Sequence, residues 1–189
     1  MKILTVTGYK PMELNIYRAR DPRIIFIKEA IKKRLISFIE DGLEWVLISG
    51  QMGVELWTAE VVLDLKDTYD IQIGMMPAFE EQANRWPEVY KFQFEELMLS
   101  VDYFHPIYKG EYKGPFQFRA RDLWLTEKSN GCLLLMDEEF PGSVKYFYDV
   151  AKSVENYPIY YVTPMDIDDT VEEMRLTDPE RFRKLFNKD

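Results

Sequence analysis

The sequence predicts a single α/β domain, an open and mostly parallel sheet with helices on both faces. Three observations carry that prediction. Short apolar runs alternate with longer segments of helical period, as when each strand is followed by a crossover helix. Residues 45–49 and 131–136 are apolar at nearly every position, as strands covered on both faces must be. The chain has 189 residues, 47% of them apolar, with 12 Tyr, 12 Phe and 4 Trp. That fills one core and is short for two.

Residues 2–7 read as the first strand, ending in Gly8. Asp21-Pro22 starts a helix, with a capping carboxylate followed by a residue whose missing N–H does no harm there. Ile24, Ile27, Ile31, Leu35 and Phe38 repeat at helical spacing, Glu29 and Lys33 are placed to pair outside, and Asp41-Gly42 ends the helix. Residues 45–49 form the second strand, followed by a helix over 53–66 that buries Val54, Trp57, Val61 and Leu65. A third strand spans 71–76 and is closed by Pro77. A helix over 88–100, a short fourth strand within 101–106 and a two-glycine loop over 107–114 follow. Then come a helix over 115–129, a strand over 131–136, a break at Pro141-Gly142-Ser143, a helix over 144–156 and a last strand over 159–162. The domain runs to about residue 165. Residues 166–189 read as a loosely held tail, acidic and then basic, with a short helix capped by Asp178-Pro179.

Composition narrows the chemistry. A net charge of −9 disfavours a sequence-independent grip on nucleic-acid phosphates. Cys132 is the only cysteine, so no disulfide forms within the chain, and its apolar neighbours make it a small hydrophobe. No apolar run approaches a membrane span, and the first residues carry no leader pattern, so a reducing cytoplasm is expected. His105 stands alone, without a zinc pattern or a G-x-S-x-G elbow, and reads as structural. No G-x-x-x-x-G-K-[ST] motif occurs, and Asp137-Glu138-Glu139 reads as a solvated acidic loop rather than a metal site.

The stretch LISGQMGVELWTAEV, residues 47–61, concentrates the functional signal. A strand ends at Ser49-Gly50, Gly53 follows, and a helix begins. Glycines at such a turn let a ligand, or a neighbouring backbone, come close to unpaired amides. Glu55 sits in the helix's first turn, where it can complement the dipole or accept a hydrogen bond from a ribose hydroxyl. In a parallel sheet the ligand crevice lies at the carboxyl ends of the strands, where loops 8–11, 49–53 and 137–145 meet. Gly8, Tyr9, Lys10, Ser49, Gly50, Gln51, Gly53, Glu55, Asp137, Gly142, Ser143 and Lys145 are therefore candidate ligand contacts. Ser143 can instead cap the helix after it, and Lys145 can simply be solvated. Pro77, Phe79 and Trp86 flank the third strand's end, where Trp86 can act as a lid stacking on a purine or pack in the core. Trp57, one turn after Gly53, has the same two readings.

Several of these segments carry a family resemblance up to about Met165. Thr7-Gly8-Tyr9-Lys10-Pro11, Gly42-Leu43-Glu44-Trp45, Ser49-Gly50-Gln51-Met52-Gly53-Val54-Glu55-Leu56-Trp57 and Gly142-Ser143-Val144-Lys145-Tyr146 resemble the YpsA family of Gram-positive bacteria. That family belongs to the SLOG superfamily of Rossmann-like proteins, with DprA and the LOG phosphoribohydrolases. The resemblance implies a Rossmann-like fold, a site for a nucleotide-derived ligand (AMP, ADP-ribose or NAD-like), and a link to cell division and stress responses in Firmicutes. It also favours Arg121 for the pocket, because LOG enzymes place an Arg nine residues before an Asp and Arg121 stands nine before Asn130. Arg119, two positions away on the helix, reads as surface. The LOG loop P-G-G-x-G-T-x-x-E is not matched: aligning Gly142-Ser143 with its Gly-Thr puts Lys145 near the expected glutamate. The resemblance thus implies a ligand sensor with a protein partner, the alternative being hydrolysis of a nucleotide N-glycosidic bond through Glu55 and Arg121.

Overall fold

A computed structural model describes residues 1–187 as one α/β unit. Its strands are β1 (Ile3–Gly8), β2 (Trp45–Ile48), β3 (Gln72–Met75), β4 (Tyr103–Phe104), β5 (Gly131–Leu135) and β6 (Ile159–Val162). Its helices are α1 (Pro22–Glu40), α2 (Val54–Leu65), α3 (Glu88–Ser100), α4 (Phe116–Lys128), α5 (Lys145–Ser153), α6 (Pro164–Thr177) and α7 (Pro179–Phe186). The sheet runs β4-β3-β2-β1-β5-β6, and every pairing is parallel. Right-handed crossovers put helices on both faces. On one side α1 packs against α2 and α6, α2 against α3, and α6 against α7; α4 packs against α5 on the other.

β5 is buried at every position, and β1 and β2 at most of theirs. Leu4, Val6, Val46, Ile48 and all of Cys132–Leu135 contribute to one hydrophobic cluster with α1 and α2. Cys132 is free and fully buried, and burial pushes its thiol up to about 12, which keeps it an unreactive hydrophobe. The α1 start is as the sequence predicts: Asp21 accepts from Arg23 N at 3.0 Å and Pro22 takes the first helical position. Asn130 initiates β1, its Oδ1 accepting from Lys2 N at 3.0 Å and Ile3 N at 2.8 Å. Among the described residues, no helix is long and apolar enough to cross a membrane.

Two sequence expectations change here. Glu29 and Lys33 do not pair with each other. Glu29 accepts from Arg181 at 3.1 Å, and Lys33 pairs with Glu173. The cause is the second difference: described residues 166–187 are no loose tail but carry the rest of α6 and all of α7. Thr163 caps α6 through a reciprocal box with Asp166 (2.8 and 3.2 Å), and Thr170 and Met174 are buried along it. In α7, Phe182 and Phe186 set their rings 6.0 and 6.1 Å from Phe26 of α1.

Candidate functional site

The chain leaves β1 toward β2 on one side, and β5 lies on the other. At such a switch of strand order the loops diverge and leave a crevice. A cavity of about 860 Å³ opens there, within the range of small-molecule sites. Thr7 and Gly8 at the end of β1, Ser49 after β2, Glu55 of α2, and Arg121 and Asp122 of α4 line it, together with Lys10 and Gln51.

Glu55 is the hub. Standing in the first turn of α2, it is only 4% exposed. Its Oε1 accepts from Ser49 N at 2.7 Å and Ser49 Oγ at 2.8 Å, and its Oε2 accepts from Thr7 Oγ1 at 2.9 Å. The carboxylate thus laces together the ends of β1 and β2. Burial raises its pKa, opposed by the charge of Arg121 and the Ser49 and Thr7 donors. Arg121 donates from Nε to Asp122 Oδ1 at 3.0 Å, with its terminal nitrogen at 2.9 Å, and lies 5.1 Å over the Phe118 ring. Asp122 is 2% exposed, and burial raises its carboxyl against the pull of Arg121.

Several candidate residues serve the chain rather than the cavity. A Cβ on Gly53 would stand 2.5 Å from the Tyr9 carbonyl oxygen, and Val54 N–H donates to that same oxygen at 3.1 Å. The loop after β1 therefore occupies the turn at the front of α2 that the sequence assigned to a ligand. Gly50 lies under Met75 and Phe94, where a Cβ would meet both at 2.9–3.0 Å. Gly8 lines the cavity, but its bare Cα also admits Val54. Trp57 is buried in the core cluster, and buried Pro77 accepts from Ile107 N. Lys145 is exposed and on neither cavity wall. His105 stacks on Tyr103 at the sheet edge.

Tyr9, Asp137, Gly142 and Ser143 belong to a clasp between the loops after β1 and β5. Tyr9 Oη accepts from Asp137 N at 2.8 Å and donates to the Phe140 carbonyl. Glu13 accepts from Ser143 N at 2.8 Å, Ser143 Oγ at 2.6 Å and Lys10 N at 3.0 Å. Gly142 has no Cβ to block that carboxylate. Burial alone would raise the Glu13 pKa, but these donors hold it below its ordinary 4.5. A depressed carboxylate adds stability that is present above 4.5 and lost as pH falls through the folded value. Glu13→Ala is thus expected to cost about 1 kcal/mol at pH 7, the figure discounted for exposure. The deficit against the parent protein should vanish in urea titrations carried well below pH 4.5.

The family model YpsA, described as the YspA SLOG family, matches residues 4–167. The chain belongs to this YpsA family. A UPF0398 protein of Oceanobacillus iheyensis is 61% identical over 180 residues, 95% of this chain and 98% of its own. The UPF0398 protein YpsA of Bacillus subtilis is 44% identical over 177 residues, 92% of this chain and 98% of its own. A Bacillus cereus UPF0398 protein is 42% identical over 177 residues, covering 92% and 96%.

In this YpsA-family chain Arg121 lies on the cavity wall, whereas Asn130 is committed to β1 and Lys145 stands away from the cavities. Arg119, read as surface, lines the cavity as well, because the cavity follows α4 along its length past Pro115, Asp122 and Leu125. Thr7, Asp122, Tyr112 and Phe118 were missed. The one signal for Asp122 is an acidic residue beside a pocket arginine; for Tyr112 and Phe118 it is aromatics around a two-glycine loop. Phe79 and Trp86 line a second, smaller cavity next to the first.

Proposed function

We propose that this protein binds a nucleotide or nucleotide-derived ligand in the cytoplasm and acts as a sensor, reporting to a protein partner. The observation that supports the reading is the switch-point cavity, whose lining includes Lys10, Arg119 and Arg121, the last paired with Asp122, together with the buried Glu55. Cations there suit phosphate, and an anchored carboxylate suits a sugar hydroxyl. Binding is favoured over cleavage of an N-glycosidic bond because both oxygens of Glu55 already accept hydrogen bonds from the chain. A general base or nucleophile needs an oxygen turned to the reacting carbon or its water. The single buried cysteine suits a reducing compartment, and the family's link to cell division points to where the partner acts.

Isothermal titration calorimetry with AMP, ADP-ribose and NAD tests this. At least one of them is expected to bind, and Lys10→Met should weaken it about tenfold through loss of a charge on phosphate. No heat and no thermal shift with any of the three would remove the reading for these ligands. Adenine released above a denatured control would replace sensing by hydrolysis.

A further inference from the structure

The segment 137–143, between β5 and α5, runs from one buried anchor to another and lies on the surface in between. Met136 before it and Val144 after it are buried, whereas none of the residues from Asp137 to Ser143 is. Phe140, its one large apolar side chain, is 71% exposed. The burial that holds the core together therefore does not hold this segment.

Polar contacts hold it instead, and most come from two residues of the loop after β1. Tyr9 Oη accepts from Asp137 N at 2.8 Å and donates to the Phe140 carbonyl, and Glu13 accepts from Ser143 N at 2.8 Å and Ser143 Oγ at 2.6 Å. Glu138 also interacts with the Tyr161 side chain of β6. Tyr9 is the fixed side of this arrangement, since its ring is buried and its carbonyl accepts from Val54 N at 3.1 Å. The segment has internal bonds of its own. Phe140 N donates to the Asp137 carbonyl at 3.0 Å and Glu139 N to Asp137 Oδ1 at 2.9 Å, so its turn can keep its shape when it lifts.

Gly142 is where the fit is closest. Its φ is 55°, and a Cβ there would collide with Glu13 Oε2, the oxygen that accepts from Ser143 N. The closed arrangement needs a bare Cα at this position. A carboxylate at the end of a flexible side chain is what would yield to anything larger.

Ser143 and Val144 stand on the wall of the larger cavity, as does Lys10, whose N–H Glu13 also holds at 3.0 Å. We propose that residues 137–143 are a strap that opens as one unit while the core stays folded, taking Ser143 off the cavity wall and widening the cavity mouth. Tyr9 and Glu13 are its latch. The strap works in the same way whatever ligand the cavity takes.

Hydrogen exchange of the folded full chain in low urea tests this. The Asp137 and Ser143 amides are expected to exchange at least a hundredfold faster than those of Cys132–Leu135. Urea below the unfolding transition should barely change their rates, because the opening exposes little surface. Glu13→Ala should speed both amides about fivefold, the Asp137 amide included although Tyr9 holds it. Gly142→Ala should speed both about tenfold, and less when Glu13→Ala is already present, since the carboxylate it displaces is then gone. Access to the cavity is read with Thr7→Cys and pyrenyl maleimide, to which the fully buried Cys132 is silent. Adding Glu13→Ala should speed labelling of the introduced thiol about fivefold. Asp137 and Ser143 amides that follow urea as steeply as the β5 amides would show that the strap opens only when the whole protein unfolds, and would overturn the proposal. So would a Gly142→Ala effect confined to the Ser143 amide, or a labelling rate that Glu13→Ala leaves unmoved.

Discussion

Gly53→Val is expected to lower the melting temperature by about 10 °C. Gly53 has φ 93° and ψ −129°, a region essentially reserved for glycine, where any other residue costs about 1–3 kcal/mol. A Cβ there would also meet the Tyr9 carbonyl oxygen at 2.5 Å, Pro11 at 2.8 Å and the Lys10 Cα at 3.0 Å. Those are mostly backbone atoms of a loop held by the Val54 N–H, so nothing flexible yields, and overpacking adds about 1–3 kcal/mol. At about 2–4 °C per kcal/mol for a domain of this size, the sum is a shift of about 10 °C. Gly42→Ala is the control. Its φ is 103° but nothing lies within 4 Å of its Cβ position, so it carries the backbone cost alone and should lose about half as much. A Gly53→Val protein that melts with the parent and loses only ligand would show that the 9–11 loop moves aside easily, and the close-approach account would be wrong.

Arg121→Met is expected to cost about 3 kcal/mol at pH 7, because it leaves Asp122 charged and buried without its partner. The loss should depend on pH, and its sign follows from the shifts. Burial already raises Asp122 above its ordinary 3.8 and Glu55 above 4.5, and Arg121 opposes both. Without Arg121 the two rise further. A carboxyl whose folded pKa lies above its unfolded value destabilises the fold once pH exceeds the folded value, and the penalty fades as pH falls toward the unfolded one. The deficit should therefore be largest at neutral pH and shrink toward pH 4. Urea titrations of parent and variant between pH 4 and pH 7 check this, and a deficit independent of pH would sink it. Arg121→Met with Asp122→Asn should recover much of the loss, since the pair is then removed as a unit.

The fold was legible because it rests on local signals. Asp21-Pro22, the periodic Ile24 to Leu35 and the apolar 131–135 run each specify one element, and their alternation specifies the sheet. The helix at 164–177 had an equally local signal, Thr163-Pro164 with Asp166, but its sparse apolar positions hid it. Its partners on α1 are more than a hundred residues away, beyond the reach of periodicity.

The candidate site was legible in part. Ser49, Glu55, Lys10, Gln51, Gly8, Arg121 and Ser143 do line one cavity, since strand ends in a parallel sheet converge by geometry. What could not be read was which glycines serve the chain's own crossings. Spacing alone cannot separate a turn that admits a ligand from one that admits the loop at Tyr9. The Glu13 clasp was invisible too, because its partners lie 130 residues apart.

β1 is hydrogen-bonded on one flank to residues 45–47 and on the other to residues 131–135. A chain emerging from the ribosome can zip β1, β2 and β3 together early, but β1's other flank stays bare until β5 has been made. For the whole span of synthesis between them, the nascent chain carries an apolar, unpaired edge at its centre. A nascent chain halted within that span would offer this edge to a second chain, so β1 is the strand on which aggregation is expected to start.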